Sequence, residues 1–397
     1  MEKIELLSPA GSLEKLKIAL LYGADAVYFG GREYSLRANA KNLSIEEIKE
    51  ACEYAHMLGK KVYVTVNIVF HNEDVDGLKD YLFKLKECGV DAIIISDPLV
   101  LSIVHENNID IPVHISTQYS NVNYEAVSFW KDMGATRVVL GRETSKEEIK
   151  TIIDKTGLDI EIFNHGAMCS SYSGRCVLSN YFTNRDANRG GCAQICRWTF
   201  DMVKDGEKID NPVKFTMCSK DLCMIRHIPE IIDIGVCSLK VEGRMRSIYY
   251  IATVISTYRK AIDDYYSGVL TNEKMEYYIK ILNRVANRDS CPQFFSRFPD
   301  KEEQYFLGRE EVSNQDYLGL VEKYEDGYAY IRVKNYFKSG EEVEIISPYR
   351  DTISFVVPTI YSEDGEVLEC ARHPEEIVKF KLDKEVSSLD MMRIMVK

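Results

Sequence analysis

Four cysteines, Cys169, Cys176, Cys192 and Cys196, fall close together in a 397-residue chain. Six, fifteen and three residues separate them in turn. Thiolates are soft ligands, and four of them can enclose a tetrahedral zinc ion or an iron–sulfur cluster. Structural zinc sites are usually built from two close pairs, and only Cys192 and Cys196 form one. The wider reach suits a bulkier cube; zinc and unrelated buried thiols stay open as alternatives. The other seven of the 11 cysteines are scattered and read as small core hydrophobes. Cys218 and Cys223 stand near the end of the same stretch as reserves.

The charge around these thiols is unlike that of the whole chain. Residues 167–200 carry Arg175, Arg185, Arg189 and Arg197 against Asp186 alone, four minus one or +3, within a chain of net −12. One reading is that the arginines neutralise a cluster held by four thiolates. A second adds Tyr172, Tyr181, Phe182 and Trp198 as stacking surfaces for unpaired RNA bases. The two are compatible. An acidic chain repels nucleic acid elsewhere, so an RNA role needs such a local patch.

The elements that position these residues are legible in the first 270 residues. Apolar strands are expected at 4–7, 26–29, 62–66, 92–95, 113–115, 137–140, 160–163 and 238–241, with amphipathic helical stretches between most of them. Several helices end in glycine, among them Gly23, Gly59, Gly89, Gly134, Gly157 and Gly235, as a left-handed C-terminal cap requires. Eight strands joined by helices fit a closed (β/α)8 TIM-like barrel, whose usual size is about 250 residues. An open doubly wound sheet is the alternative, but no Gly-rich phosphate turn follows the first strand. The expected division is a barrel over 1–270, carrying a Cys-rich insertion at 167–217 after strand 7. A helical connector over 271–312 and a small all-β domain over 313–397, a β-barrel, follow. Period-two segments and turns at Asp326-Gly327, Ser339-Gly340 and Asp364-Gly365 mark that last part.

In a parallel barrel, functional groups gather where strands end. Those positions hold Ser8, Tyr28, Asn67, Asp97, Gln118, Arg142, Glu143, Asn164, His165, Lys240, Glu242 and Arg244, with Lys220 at the exit of the insertion. The set is rich in cations and suits an anionic small molecule. Arg142, Lys220, Lys240, Arg244 and Gln118 are the candidate substrate-binding residues. His165 and Glu242 are the candidates for moving a proton. A network of satisfied ion pairs is the competing arrangement. An Arg142–Glu143 pair is disfavoured because adjacent strand residues point to opposite faces.

Composition is that of a soluble globular protein, 45% hydrophobic and 28% charged. No apolar run is long enough to span a membrane, and the charged start lacks a signal-peptide pattern, so a cytoplasmic protein without a membrane partner is expected. There is no His-Glu-x-x-His helix, no Gly-x-Ser-x-Gly elbow and no phosphate loop.

The stretch from Glu161 to Ser179 resembles the signature of the collagenase-like peptidases, family thirty-two of unknown catalytic type. The resemblance extends to Leu7–Gly11, His114–Gln118, Gly141–Glu143, Ser219–Leu222 and Lys240–Arg246. It implies the barrel fold and, from its better-understood branches, oxygen-independent hydroxylation. Those branches act on tRNA wobble uridine, on a cytidine of rRNA, or on a ubiquinone precursor. The chain is most similar to the longer type that hydroxylates tRNA uridine to 5-hydroxyuridine. The resemblance implies a [4Fe-4S] cluster on Cys169, Cys176, Cys192 and Cys196, prephenate as co-substrate, tRNA as partner, and a shorter paralogous subunit in some bacteria. A collagenase-like peptidase, an rRNA cytidine hydroxylase and an iron–sulfur partner subunit are the alternatives.

Overall fold

The computed structural model describes residues 3–36, 42–209, 215–286, 288–308 and 316–396. Eight short strands form its first layer: β1 (Glu5–Pro9), β2 (Ala26–Gly30), β3 (Lys61–Val66), β4 (Ala92–Ile95), β5 (Val113–Ile115), β6 (Arg137–Val139), β7 (Asp159–Gly166) and β8 (Ser238–Val241). All pair in parallel with their chain neighbours up to β7, and β8 then pairs with both β7 and β1. Ser238 lies opposite Glu5 on one side and Glu161 on the other, so the sheet closes. This closure excludes the open doubly wound sheet. Strands buried on both faces read as continuous apolar runs, which is why their positions are visible in the sequence.

Helices α1 (Leu13–Leu21), α2 (Ile45–Met57), α3 (Leu78–Glu87), α4 (Pro98–Glu106), α5 (Tyr124–Asp132) and α6 (Lys146–Thr156) connect the first seven strands. Side-chain caps fix the starts of all but α3, which begins after Gly77. Ser44 with Glu47, and Ser145 with Glu148, form capping boxes that satisfy otherwise orphaned N–H groups.

After β7 the chain leaves the barrel. The insertion is built of short turns around α7 (Leu178–Thr183) and a small hairpin, Val203–Lys204 with Glu207–Lys208; residues 210–214 lie outside the described part. It returns as a strand, Asp221–Cys223, antiparallel to the end of β7. Helix α8 (Ile228–Asp233) leads to β8, and α9 (Ile248–Tyr266) covers the barrel's closing seam.

Among the described residues the connector has its α-helix in its first half, α10 (Asn272–Val285), and two short 3-10 turns, Gln293–Phe295 and Lys301–Glu303, follow. Its second half returns to the exit of the insertion, where Ser290–Cys291 pairs with Asp221–Leu222. Arg288 makes a buried ion pair with Asp221 at 3.0 Å. The expected boundary at 312–313 falls outside the described residues.

The C-terminal part holds β9 (Tyr317–Glu325), β10 (Tyr328–Val333), β11 (Glu342–Ile346), β12 (Ile353–Val356), β13 (Ile360–Ser362), β14 (Val367–Leu368), β15 (Ile377–Lys381) and β16 (Met391–Ile394). They form one antiparallel sheet in the order β12-β11-β16-β9-β10-β15-β13-β14. Among the described residues no pairing joins the two ends of this sheet. Its own core includes Val321, Ile331, Phe337 and Phe380. It docks on the barrel helices: Tyr22 Oη donates to Leu389 O at 2.9 Å, and Tyr317 stacks on Tyr249 at 4.8 Å. Among the described residues no helix is long and apolar enough to cross a membrane.

Candidate active site

A cavity of about 430 Å³ opens at the C-terminal ends of the barrel strands. The barrel contributes Gln118, Arg142, Lys240, Glu242 and Arg244 to its walls, all five named from strand-end position alone. The insertion contributes Cys169, Cys176, Cys192 and Cys196. Thiols and cations far apart in sequence therefore face one space.

The cations are held differently. Arg142, at the end of β6, donates from Nη1 to Ala167 O at 2.9 Å and lies over the Phe163 ring at 3.9 Å. Its second terminal nitrogen stands 3.4 Å from Glu242 Oε2, which follows β8 on the far side of β7. Glu143 turns instead to Ser173, accepting its N–H at 2.7 Å and its hydroxyl at 2.9 Å. The adjacent pair therefore takes separate partners; both residues lie in the turn after β6, beyond the strand, and both line the cavity. Arg244 is only 5% exposed. Its guanidinium donates to Leu36 O and Asn42 Oδ1, both at 2.8 Å, and to Ser35 Oγ at 3.2 Å. It clamps the segment after β2 as well as lining the cavity. Gly30 makes room for this: a Cβ there would lie 1.9 Å from Ser35 Oγ and 2.4 Å from Arg244 Nη2.

Lys240 forms the floor. Its ammonium donates to Glu161 Oε1 at 2.8 Å and sits 4.4 Å from the Tyr28 ring centre. Below it the barrel interior is charged, where such barrels usually stack branched apolar side chains. Arg137 Nη1 bridges Glu161 Oε2 at 3.1 Å and Glu5 Oε1 at 2.6 Å. Glu5 also accepts from Tyr63 Oη at 2.6 Å and Ser238 Oγ at 2.8 Å. Burial alone would raise the Glu161 carboxyl, but Lys240 and Arg137 outweigh it and hold it down to about 2. Burial lowers the neighbouring His114 to about 3, so it is neutral near pH 7. Sequence reasoning missed Glu5, Arg137 and Glu161 by attending to strand ends. Their signal was a charged residue inside an otherwise apolar strand.

Two candidates are not where the sequence placed them. His165 does not line the cavity. It is 5% exposed and packs outward against α9, edge-on to Tyr258, whose hydroxyl lies 3.3 Å from Nδ1. Burial lowers it to about 3, as befits a core histidine. The physical cause is a register shift: Lys240 faces Phe163 while Val241 faces His165, which breaks the alternation along β7. Lys220 is also outside the cavity. Its N–H donates to Glu303 O at 2.8 Å and its carbonyl accepts from Gln293 Nε2 at 2.7 Å, both on the returning connector.

The four insertion thiols are free and half-buried. Among the described residues no group of three or more His, Cys, Asp or Glu side chains is arranged to hold a single metal ion. Backbone N–H groups of Ser171 and Leu178 point at Cys169 Sγ and Cys176 Sγ, each at 3.4 Å. Burial raises the Cys169 thiol, while the positive charge of Arg142 acts to lower it. Asn188 pins the backbone of Cys176, accepting its N–H at 3.2 Å and donating to its carbonyl at 3.0 Å.

The insertion arginines do separate jobs. Arg189 leaves the thiols and grips Asp74 on the β3–α3 loop, Nη2 to Oδ1 at 2.8 Å. That hydrogen bond holds the Asp74 carboxyl down to about 2. Arg175 donates to Gln118 O at 2.6 Å, and Arg197 lines the cavity near Cys196. Tyr172, Tyr181 and Phe182 are exposed, Tyr181 by 84%. Cys223, the register partner of His165, is a core thiol: its Sγ lies 3.8 Å from Tyr258 Oη and burial raises it.

Comparison with known proteins bears on this arrangement. The family model described as Peptidase family U32 matches residues 11–305, and the model of the U32 C-terminal domain matches 313–393. The chain belongs to peptidase family U32. This U32 chain is 48% identical over 400 residues to the "tRNA hydroxylation protein P1" of Bacillus subtilis (strain 168), spanning 99% of this chain and 95% of the relative. It is 36% identical to the "tRNA hydroxylation protein P" of Escherichia coli (strain K12), spanning 94% and 92% respectively. The solved U32 peptidase Mk0906 covers 61% of this chain and 95% of its own at 12% identity, with a TM-score of 0.42.

Proposed function

We propose that this protein hydroxylates tRNA, converting wobble uridine to 5-hydroxyuridine without molecular oxygen and with prephenate as the hydroxyl donor. The observation that carries the reading is the cavity at the barrel mouth, lined by four thiols and by Arg142, Lys240 and Arg244. Two relatives matched over nearly their whole length, both named as tRNA hydroxylation proteins, support the same reading.

The residues present fit a [4Fe-4S] cluster. Four thiols without disulfide partners face one space, two of them accept backbone N–H groups, and Arg142 and Arg197 stand close to Cys169 and Cys196. N–H groups and cations near the sulfurs favour a negatively charged thiolate cluster. When bound, the cluster supplies one-electron transfer.

The chain's own groups do the rest. Arg142, Lys240 and Arg244 supply the positive charge that binds the carboxylates of prephenate. Gln118 supplies a neutral polar group to the same wall. Glu242, paired with Arg142 at 3.4 Å, is a cavity carboxylate placed to accept or return a proton. Phe163, Ile94 and Tyr28 form an apolar wall that limits water around the reacting groups. The exposed Tyr181 and Phe182, with Arg175 and Arg185 beside them in the chain, offer ring faces and positive charge to unpaired anticodon-loop bases. The direct test is nucleoside analysis of tRNA from a strain lacking this gene and any redundant enzyme. The reading predicts loss of 5-hydroxyuridine and its derivatives; undiminished levels would sink it.

A further inference from the structure

Four charges lie inside the barrel, and of these Lys240 alone reaches the cavity. Glu5, Arg137, Glu161 and Lys240, two acids and two bases, form a chain of ion pairs running from the N-terminal mouth, where the exposed Asp159 stands 4.0 Å from Arg137, to the cavity floor. Glu161 is 0% and Lys240 3% exposed. Burying such a chain is costly, and well-packed apolar residues often do as well or better for stability. Stability alone therefore does not account for it. Its geometry delivers one thing to the cavity, the Lys240 ammonium.

Among the described residues that ammonium makes a single hydrogen bond, to Glu161 at 2.8 Å, with the faces of Tyr28 and Phe163 beside it at 4.4 and 5.6 Å. Aromatic faces attract a cation but take no conventional hydrogen bond. Two of its three donors remain for a ligand. The other Glu161 oxygen is held by Arg137, and Arg137 is held by Glu5, so the carboxylate cannot turn away.

We infer that Glu161 is a positioning residue that fixes the Lys240 ammonium as the floor contact for an anionic group of the small co-substrate. The inference rests on the proposal that the cavity is the reaction site. Glu161 touches no ligand itself. It acts by holding the cation in place and balancing its charge in a space with little water. Arg142 and Arg244 then meet the ligand from the rim, so a molecule with two separated carboxylates spans floor and rim.

The test is a double-mutant cycle read by calorimetry with prephenate, on anaerobically purified full-length protein. Glu161→Gln and Lys240→Met should each weaken binding by at least about tenfold, one charged contact. The double variant should bind no more weakly than Lys240→Met alone, because Glu161 acts only through the ammonium. It also leaves Glu5 and Arg137 as a neutral pair, which keeps the fold balanced. Glu161→Asp retains the charge but falls a methylene short, and should weaken binding severalfold, so the test stands if Glu161→Gln fails to fold. A double variant that binds a further tenfold or more weakly than Lys240→Met alone would overturn the inference. So would unchanged affinity in Glu161→Asp, or a Glu161→Gln protein that is less stable yet binds prephenate normally. Wild-type protein that binds no prephenate would instead overturn the proposed co-substrate, a different failure.

Discussion

Removing the acid that anchors the insertion should loosen the thiol-bearing segment by a predictable amount. Asp74 holds Arg189 through both carboxylate oxygens, while Arg189 also donates to Val69 O at 3.1 Å and Asn188 O accepts from Val69 N at 3.0 Å. The Asp74 carboxyl falls from 3.8 to about 2, and a shift of nearly two units corresponds to at most about 2.4 kcal/mol. The pair lies at the rim, with side chains 12% and 27% exposed, and solvent screening brings the expected contribution to about 1 kcal/mol. The carboxyl is depressed in the folded state, so its contribution is complete above about pH 4 and is lost as pH falls through about 2. Asp74→Asn should therefore lower stability in urea unfolding by about 1 kcal/mol at pH 7 and by roughly half that at pH 3. In metal-free protein, maleimide should label Cys176 faster in the variant, because Asn188 links that cysteine to the anchored segment. An equal gap at pH 7 and pH 3, with unchanged labelling, would refute the anchoring role.

Arg244→Lys should cost about 2 kcal/mol of stability, since lysine cannot reach both Leu36 O and Asn42 Oδ1; urea unfolding beside prephenate calorimetry shows whether the loop clamp and the ligand contact fall together. Gly30→Ala should displace Arg244 and weaken prephenate binding, while the iron content of protein purified without oxygen stays unchanged. Cys169→Ala should remove the broad visible absorbance and the bound iron and sulfide together; stoichiometric zinc without iron in the parent protein would contradict the cluster.

Much of this architecture is legible in the amino-acid sequence. The eight parallel strands are buried on both faces, and the continuous apolar runs of Val62–Val66 or Ala92–Ile95 announce them. Strand-end positions lead to Arg142, Lys240, Glu242, Arg244 and Gln118, which do line one cavity. His165 misleads because alternation along β7 is broken by a register shift that a single sequence does not display. Lys220 misleads because its backbone partners, Gln293 and Glu303, lie more than 70 positions away on the connector. The interior ion chain escapes notice because it lies beneath the strand ends. The grip of Arg189 on Asp74 is hidden by distance in the chain, although it explains one of the four arginines that read as a single patch.

The central claim is that the thiols and the cations lining one cavity serve one reaction. It is tested most directly by mass-spectrometric nucleoside analysis of tRNA from a deletion strain complemented separately with wild-type, Cys192→Ala and Lys240→Met proteins at equal abundance. The account predicts that wild type restores 5-hydroxyuridine and its derivatives and that neither variant does. Full restoration by either variant would contradict it.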